Sequence, residues 1–176
     1  AFYDGLIEKD PTYNAIVKGK TPKEKKRKYW NEDEFKKLIK ALELGTEINM
    51  DWFILILAKT GLRFAEALAL TPNDFDFENN TLNVDKTLDY KSGKNEFAPT
   101  KNTSSVRKIV IDWQLVGQFR PLIKDLPPDK PIFVPDGKRI FNSTYNSFLE
   151  RKCKEADITV ITLHGLRHTH ASILLG

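Results

Sequence analysis

The chain has 176 residues, 40% of them hydrophobic and 30% charged, with a formal net charge of +4 and a pI near 9.0. This balance fits one globular domain with a buried core and permits a nucleic-acid partner without requiring one. A lone cysteine, Cys153, excludes an intramolecular disulfide, and the longest apolar run, Trp52 to Ala58, is too short to span a bilayer. With no secretory signal visible at the start, a cytoplasmic protein with no membrane partner is expected.

Residues 1–19 carry Phe2, Leu6, Ile7, Tyr13, Ile16 and Val17, punctuated by Pro11 and Gly19, and read as the end of a preceding unit. Residues 20–28 follow as a basic linker, with Lys20, Lys23, Lys25, Lys26, Arg27 and Lys28 against the single acid Glu24. Such a run is either solvated or laid along a phosphate backbone.

The main domain, 29–176, opens with a helix capped by Asn31. Its first turn carries Glu32, Asp33 and Glu34, and Phe35, Leu38, Ile39 and Leu42 recur at helical spacing up to Gly45. A nearly all-apolar helix is predicted from Met50 to Lys59, central to the core, interrupted by Thr60-Gly61. A short helix resumes through Leu62–Leu68. Arg63 thus lies at the start of a buried helix, where a guanidinium needs an anion, either a ligand or Glu66 one turn on.

Beyond Pro72 the period changes. Phe75 and Phe77, then Leu82 and Val84, alternate about Asn79-Asn80 and predict a hairpin. A polar loop with Ser92-Gly93-Lys94 leads to Lys101 and a third strand, Val106–Ile111. Helices are predicted over Asp112–Asp125 and from an Asn142 cap to Ala156, with Cys153 inward in a structural role despite the neighbouring Arg151, Lys152 and Lys154. The fold class is α+β, mostly helical, with a small three-stranded antiparallel sheet.

The last predicted helix, from a Thr162 cap, holds all three histidines. At about 100° per residue, His164, Arg167, His168 and Ala171 share one face, and Leu163, Leu166, Ile173 and Leu174 the other. His170 falls with the apolar residues and is read as a core histidine with one hydrogen bond. His164 and Arg167, near the positive helix end, could grip one anion or form a solvated basic face. A zinc site from the three histidines is disfavoured, since His170 points away and no Cys pair or carboxylate completes it.

Thr60-Gly61-Leu62-Arg63-Phe64-Ala65-Glu66-Ala67-Leu68, then Thr100-Lys101 followed by Ser105 and Arg107, then His164-Gly165-Leu166-Arg167-His168-Thr169-His170-Ala171-Ser172 resemble, in order and spacing, three motifs of the tyrosine recombinases, the phage-integrase family. The resemblance spans most of 29–176. It implies that Arg63 and Arg167 are the two catalytic arginines, His164 the histidine of the histidine–x–x–arginine motif, and Lys101 the lysine on the strand connection. Glu66 would orient the first arginine, and His168 would support the site. Residues 1–19 would be the remnant of a core-binding domain.

The implied reaction is metal- and cofactor-independent cleavage and rejoining of double-stranded DNA at attachment sites, through a 3′-phosphotyrosine, by four protomers together. The linker cations and Arg107 are then expected to meet DNA. The motif order also calls for a tyrosine after the histidine–x–x–arginine motif, whereas Tyr3, Tyr13, Tyr29, Tyr90 and Tyr145 all precede it. As written, the chain is expected to be a monomer unable to cleave. The alternative is a non-catalytic DNA-binding or regulatory module with the same fold.

Overall fold

The computed structural model describes residues 29–175, so the 1–19 segment and the linker cations Lys20, Lys23, Lys25, Lys26, Arg27 and Lys28 lie outside the described residues. Helix α1 (Glu32–Ala41) begins with a reciprocal cap: Glu34 N–H donates to Asn31 Oδ1 at 2.9 Å, and Asn31 N–H donates to Glu34 Oε1 at 3.1 Å. Helix α2 (Met50–Thr60) is capped by Asn49 and buried from Asp51 through Ala58. It stops at Gly61, whose φ of 71° is left-handed, and α3 (Phe64–Leu68) starts three residues later. A chain this apolar is stable as a helix only when surrounded, and α2 packs against both α3 and the last helix.

The sheet follows the expected hairpin. Strand β1 (Phe75–Asp76) pairs antiparallel with β2 (Thr81–Val84), with Phe75 opposite Leu82 and Asn80 taking the left-handed turn position at φ 54°. Its period-2 alternation buries Leu82 and Val84 while Thr81 and Asn83 stay half-buried. The next two strands in the chain differ from expectation. The stretch read as a polar loop contains a hairpin of its own, β3 (Thr87–Asp89) with β4 (Glu96–Ala98), forming a separate two-stranded sheet. Only Leu88 is deeply buried in it and Phe97 is exposed, so no alternation marked it in the sequence. Strand β5 (Arg107–Val110) then completes the three-stranded sheet in the order β1-β2-β5, with Val84 opposite Arg107.

Helix α4 (Trp113–Ile123) is capped by Asp112, whose Oδ1 accepts from Leu115 N–H at 2.7 Å. Helix α5 (Asn142–Ala156) begins at Asn142 itself; the cap position belongs to Phe141, and Asn142 instead accepts from Asn146 Nδ2 one turn on. Cys153 is fully buried, and burial pushes its thiol up rather than activating it. Nearby, Lys152 is buried with its ammonium 3.3 Å from Asp51 and 3.4 Å from Glu43, tying α5 to the α1–α2 connection.

Helix α6 (Leu163–Leu175) closes the domain against α2 and α5. It is anchored by a buried hydroxyl: Thr169 Oγ1 accepts from Trp30 N–H at 2.8 Å and donates to the Gly165 carbonyl at 3.0 Å. Thr169→Val keeps the shape and orphans a buried amide. We expect it to cost about 1–3 kcal/mol, read as a lower denaturant midpoint at unchanged slope.

Candidate active site

The α2–α3 joint builds one wall of the site. Because Gly61 is left-handed, the chain reverses sharply, and Arg63 enters α3 at its extended N-cap position (φ −71°, ψ 154°). Glu66 reaches back so that its Oε1 accepts from Arg63 N–H at 3.0 Å, while Arg63 Nη1 stands 3.5 Å from Glu66 Oε2. The Arg63 side chain remains 47% exposed, although Glu66 is 2% exposed. The sequence left Arg63 with either a ligand or Glu66 as its anion. It has a loose contact to Glu66 and an open side.

Helix α6 builds the opposite wall. Thr162 caps it as expected, accepting from Gly165 N–H at 3.2 Å, and Asn146 of α5 takes the Leu163 amide at 2.9 Å. Arg167 donates from Nε to the Gly61 carbonyl at 2.7 Å, so the residue that turns the chain also orients this guanidinium. Burial depresses the Arg167 pKa, the charges of Arg63 and Arg107 add to this, and Glu66 opposes it. A guanidinium stays protonated regardless, so the result is a concentrated positive field awaiting an anion.

Arg63, His164 and Arg167 line a single hollow of about 250 Å³, with Leu57, Leu62, Phe64, Asn142, Asn146, Thr162 and Leu163. A larger hollow of about 480 Å³, between α2, the α4–α5 connection and α5, contains none of the expected site residues. We place the site in the smaller one because the anion-binding chemistry is there. His168 stacks edge-on to His164, Nε2 to Nε2 at 3.2 Å, a contact that requires at least one of the two nitrogens to act as an acceptor. His170 is separate: it is half-buried, its Nδ1 lies 3.3 Å from the Ala58 carbonyl, and burial pushes its pKa down.

Two expected residues lie elsewhere. Lys101 is exposed on the β4–β5 connection and does not line the hollow. Arg107, expected to face DNA, instead forms a two-pronged pair with Glu66: Nη1 to Oε2 and Nη2 to Oε1, both 3.2 Å. Sequence reasoning also missed Gly61 and Asn146. The left-handed turn at Gly61 was legible as a helix stop, but nothing local announced that its carbonyl would hold Arg167.

Burial pushes the Glu66 carboxyl up, but bonds from Arg107 and from the Arg63 amide, with both arginine charges, outweigh it and hold the pKa below the usual 4.5. A depressed carboxylate stabilises the fold fully above its unfolded value and loses that contribution as pH falls through the lower folded value. Wild-type stability should therefore drop through the acid range below the usual carboxylate pKa. Glu66→Gln should be less stable at neutral pH and show a shallower acid limb in denaturant titrations. Parallel acid limbs would show that Glu66 does not carry this linkage.

Comparison with known proteins places the chain in a family. The phage integrase family matches residues 28–176. The chain is 28% identical over 190 residues to the ICEBs1 integrase of Bacillus subtilis (strain 168), covering 99% of this chain and 50% of that protein. It is 31% identical over 134 residues to the transposase from transposon Tn916 of Enterococcus faecalis, covering 66% of this chain and 33% of that protein. Among solved structures, the Tn1549 transposon integrase in complex with transposon right end DNA superposes with a TM-score of 0.68 at 23% identity, covering 87% of this chain and 55% of that one. The XerA recombinase gives 0.61 at 27% identity, covering 84% and 50%. The chain thus spans about half the length, or less, of the proteins it matches. From the family match over 28–176 and the α+β fold shared with these recombinases, the chain belongs to the phage integrase family.

Proposed function

We propose that this chain is the catalytic domain of a site-specific DNA recombinase, an integrase that cleaves and rejoins double-stranded DNA at attachment sites. The observation that carries the reading is the convergence on one hollow of Arg63 with His164 and Arg167, which lie one turn apart on α6, far from Arg63 in sequence. A phosphodiester under attack becomes five-coordinate and gathers negative charge on its non-bridging oxygens. Two guanidinium forks suit that charge better than point charges, and the α6 N-terminus adds its dipole.

In the proposed reaction a tyrosine oxygen bonds to phosphorus as the P–O5′ bond breaks. The 3′ end is left on the tyrosine, and the 5′-oxygen takes a proton from an acid. Lys101, exposed on a loop beside the sheet, is assigned that acid role, and His164 donates to, or moves a proton at, the phosphate. His168 holds the His164 ring. The reading calls for a nucleophile that the described tyrosines do not supply: Tyr145 is buried with its hydroxyl pushed up, Tyr90 packs on Phe64, and Tyr29, though exposed, does not line the hollow. This chain alone is therefore expected to be inactive. The basic residues 20–28 are assigned to the DNA backbone, with residues 1–19 ending a core-binding domain. The full-length protein is assigned to a tetramer on DNA, in the cytoplasm of a bacterial host; among the described residues no helix is long and apolar enough to cross a membrane.

The test is incubation of the full-length protein with a nicked suicide attachment site from its own element. A covalent protein–DNA adduct that survives denaturation is expected. A failure to trap any adduct, with DNA binding intact, would favour a binding module instead.

A further inference from the structure

Arg107 was expected to reach DNA, yet its guanidinium is turned inward. One edge holds Glu66 with both Nη atoms, and Nη1 also donates to the Ser105 carbonyl at 2.7 Å. Glu66 is almost fully buried and caps α3 through the Arg63 amide. On the other side, Ser105 is knotted to the residue next to Lys101: its N–H donates to the Asn102 carbonyl at 3.1 Å and its Oγ to Asn102 Oδ1 at 3.0 Å. Thr100 Oγ1 donates to the same Asn102 carbonyl at 2.8 Å. One guanidinium thus joins the helix that presents Arg63 to the loop that presents Lys101.

We propose that Arg107 is a positioning residue that ties the loop bearing Lys101 to the start of α3 bearing Arg63, through Ser105 and Asn102 on one side and Glu66 on the other, so that Lys101 meets the phosphate once DNA fills the hollow. The proposal rests on the recombinase reading and on Lys101 as the acid. A planar fork is needed because the two acceptors, a carboxylate and a carbonyl, diverge. A lysine ammonium keeps the charge beside Glu66 but cannot span both in a fixed plane. The apolar side chains of the Lys101 loop, Pro99 and Val106, are exposed and do not pin it, so releasing the Ser105 carbonyl frees the segment to drift.

The experiment uses full-length protein and two forms of the nicked attachment site, one normal and one with sulfur in place of the bridging 5′-oxygen. A thiolate leaves without an acid, so the sulfur substrate bypasses Lys101. Arg107→Lys should slow adduct formation on normal DNA by roughly 10- to 100-fold, the scale of a slight misplacement of a catalytic group. The sulfur substrate should restore most of that loss, as it should for Lys101→Ala and should not for Arg63→Lys. If Arg107→Lys cleaves normal DNA at the wild-type rate, or is equally slow on both substrates while Lys101→Ala is rescued, the positioning role is overturned. If the wild type forms no adduct, or Lys101→Ala needs no rescue, it is the underlying reading that fails. Melting temperatures of each variant separate misplacement from unfolding.

Discussion

Arg167→Lys is expected to lower the single-turnover rate of covalent adduct formation by about 10²- to 10³-fold, the usual cost of losing one oriented donor at a charge-developing centre. DNA affinity should change far less, because many phosphate contacts share it. The reason lies in how the guanidinium is held. Its Nε is committed to the Gly61 carbonyl at 2.7 Å, so a ligand in the hollow that Arg167 lines with Arg63 has only its Nη groups to bind. A lysine has one nitrogen and must choose between that carbonyl and the phosphate. The same burial and neighbouring arginines that depress Arg167 would also act on an amine whose ordinary pKa is nearer neutrality, favouring its uncharged form. Equal cleavage rates for wild type and Arg167→Lys would remove Arg167 from the reaction.

Gly61→Ala should damage stability and activity together. Gly61 sits at φ 71°, and a Cβ there would lie 2.5 Å from His170 Cδ2 and 3.0 Å from Cγ. Left-handed backbone costs about 1–2 kcal/mol for a residue with a side chain, and overpacking about 1–3 kcal/mol more. For a domain of this size that is a drop of roughly 5–15 °C in melting temperature. The His170 ring is held near the Ala58 carbonyl and has little freedom to swing away. The displaced turn should also carry the Gly61 carbonyl away from Arg167, so cleavage should fall even well below the melting transition. Adding His170→Ala should relieve the collision but leave the backbone strain, returning part of the lost stability. An unchanged melting temperature in the single variant would contradict this account of the joint.

Most of the helices were legible because their causes are local. Asn31 with Glu34, Asn49 ahead of Met50, and Asp112 ahead of Trp113 each satisfy free amides within three residues, and the apolar spacing between them sets the buried face. The first hairpin was legible for the same reason, since Asn80 accepts the turn conformation and Leu82 and Val84 alternate. The second hairpin was not: its strands are three residues each and bury little. His170 was separated from His164 and His168 by helical periodicity alone, and it does point elsewhere, to Ala58.

By itself, then, the amino-acid order determined the α+β class, the caps at Asn31 and Thr162, the buried α2 and the three motifs that mark the family. Which partner each charge would take was decided only by the folded chain. Arg107 was expected to meet DNA, and nothing near it in sequence names Glu66, 41 positions away, as its mate. Gly61 looked like a helix stop, and its role as the acceptor for Arg167 depends on α6 crossing α2. Caps and periodicity act over one or two turns, whereas a hydrogen bond between remote residues exists only once packing has fixed the distance between their elements to within a fraction of an ångström.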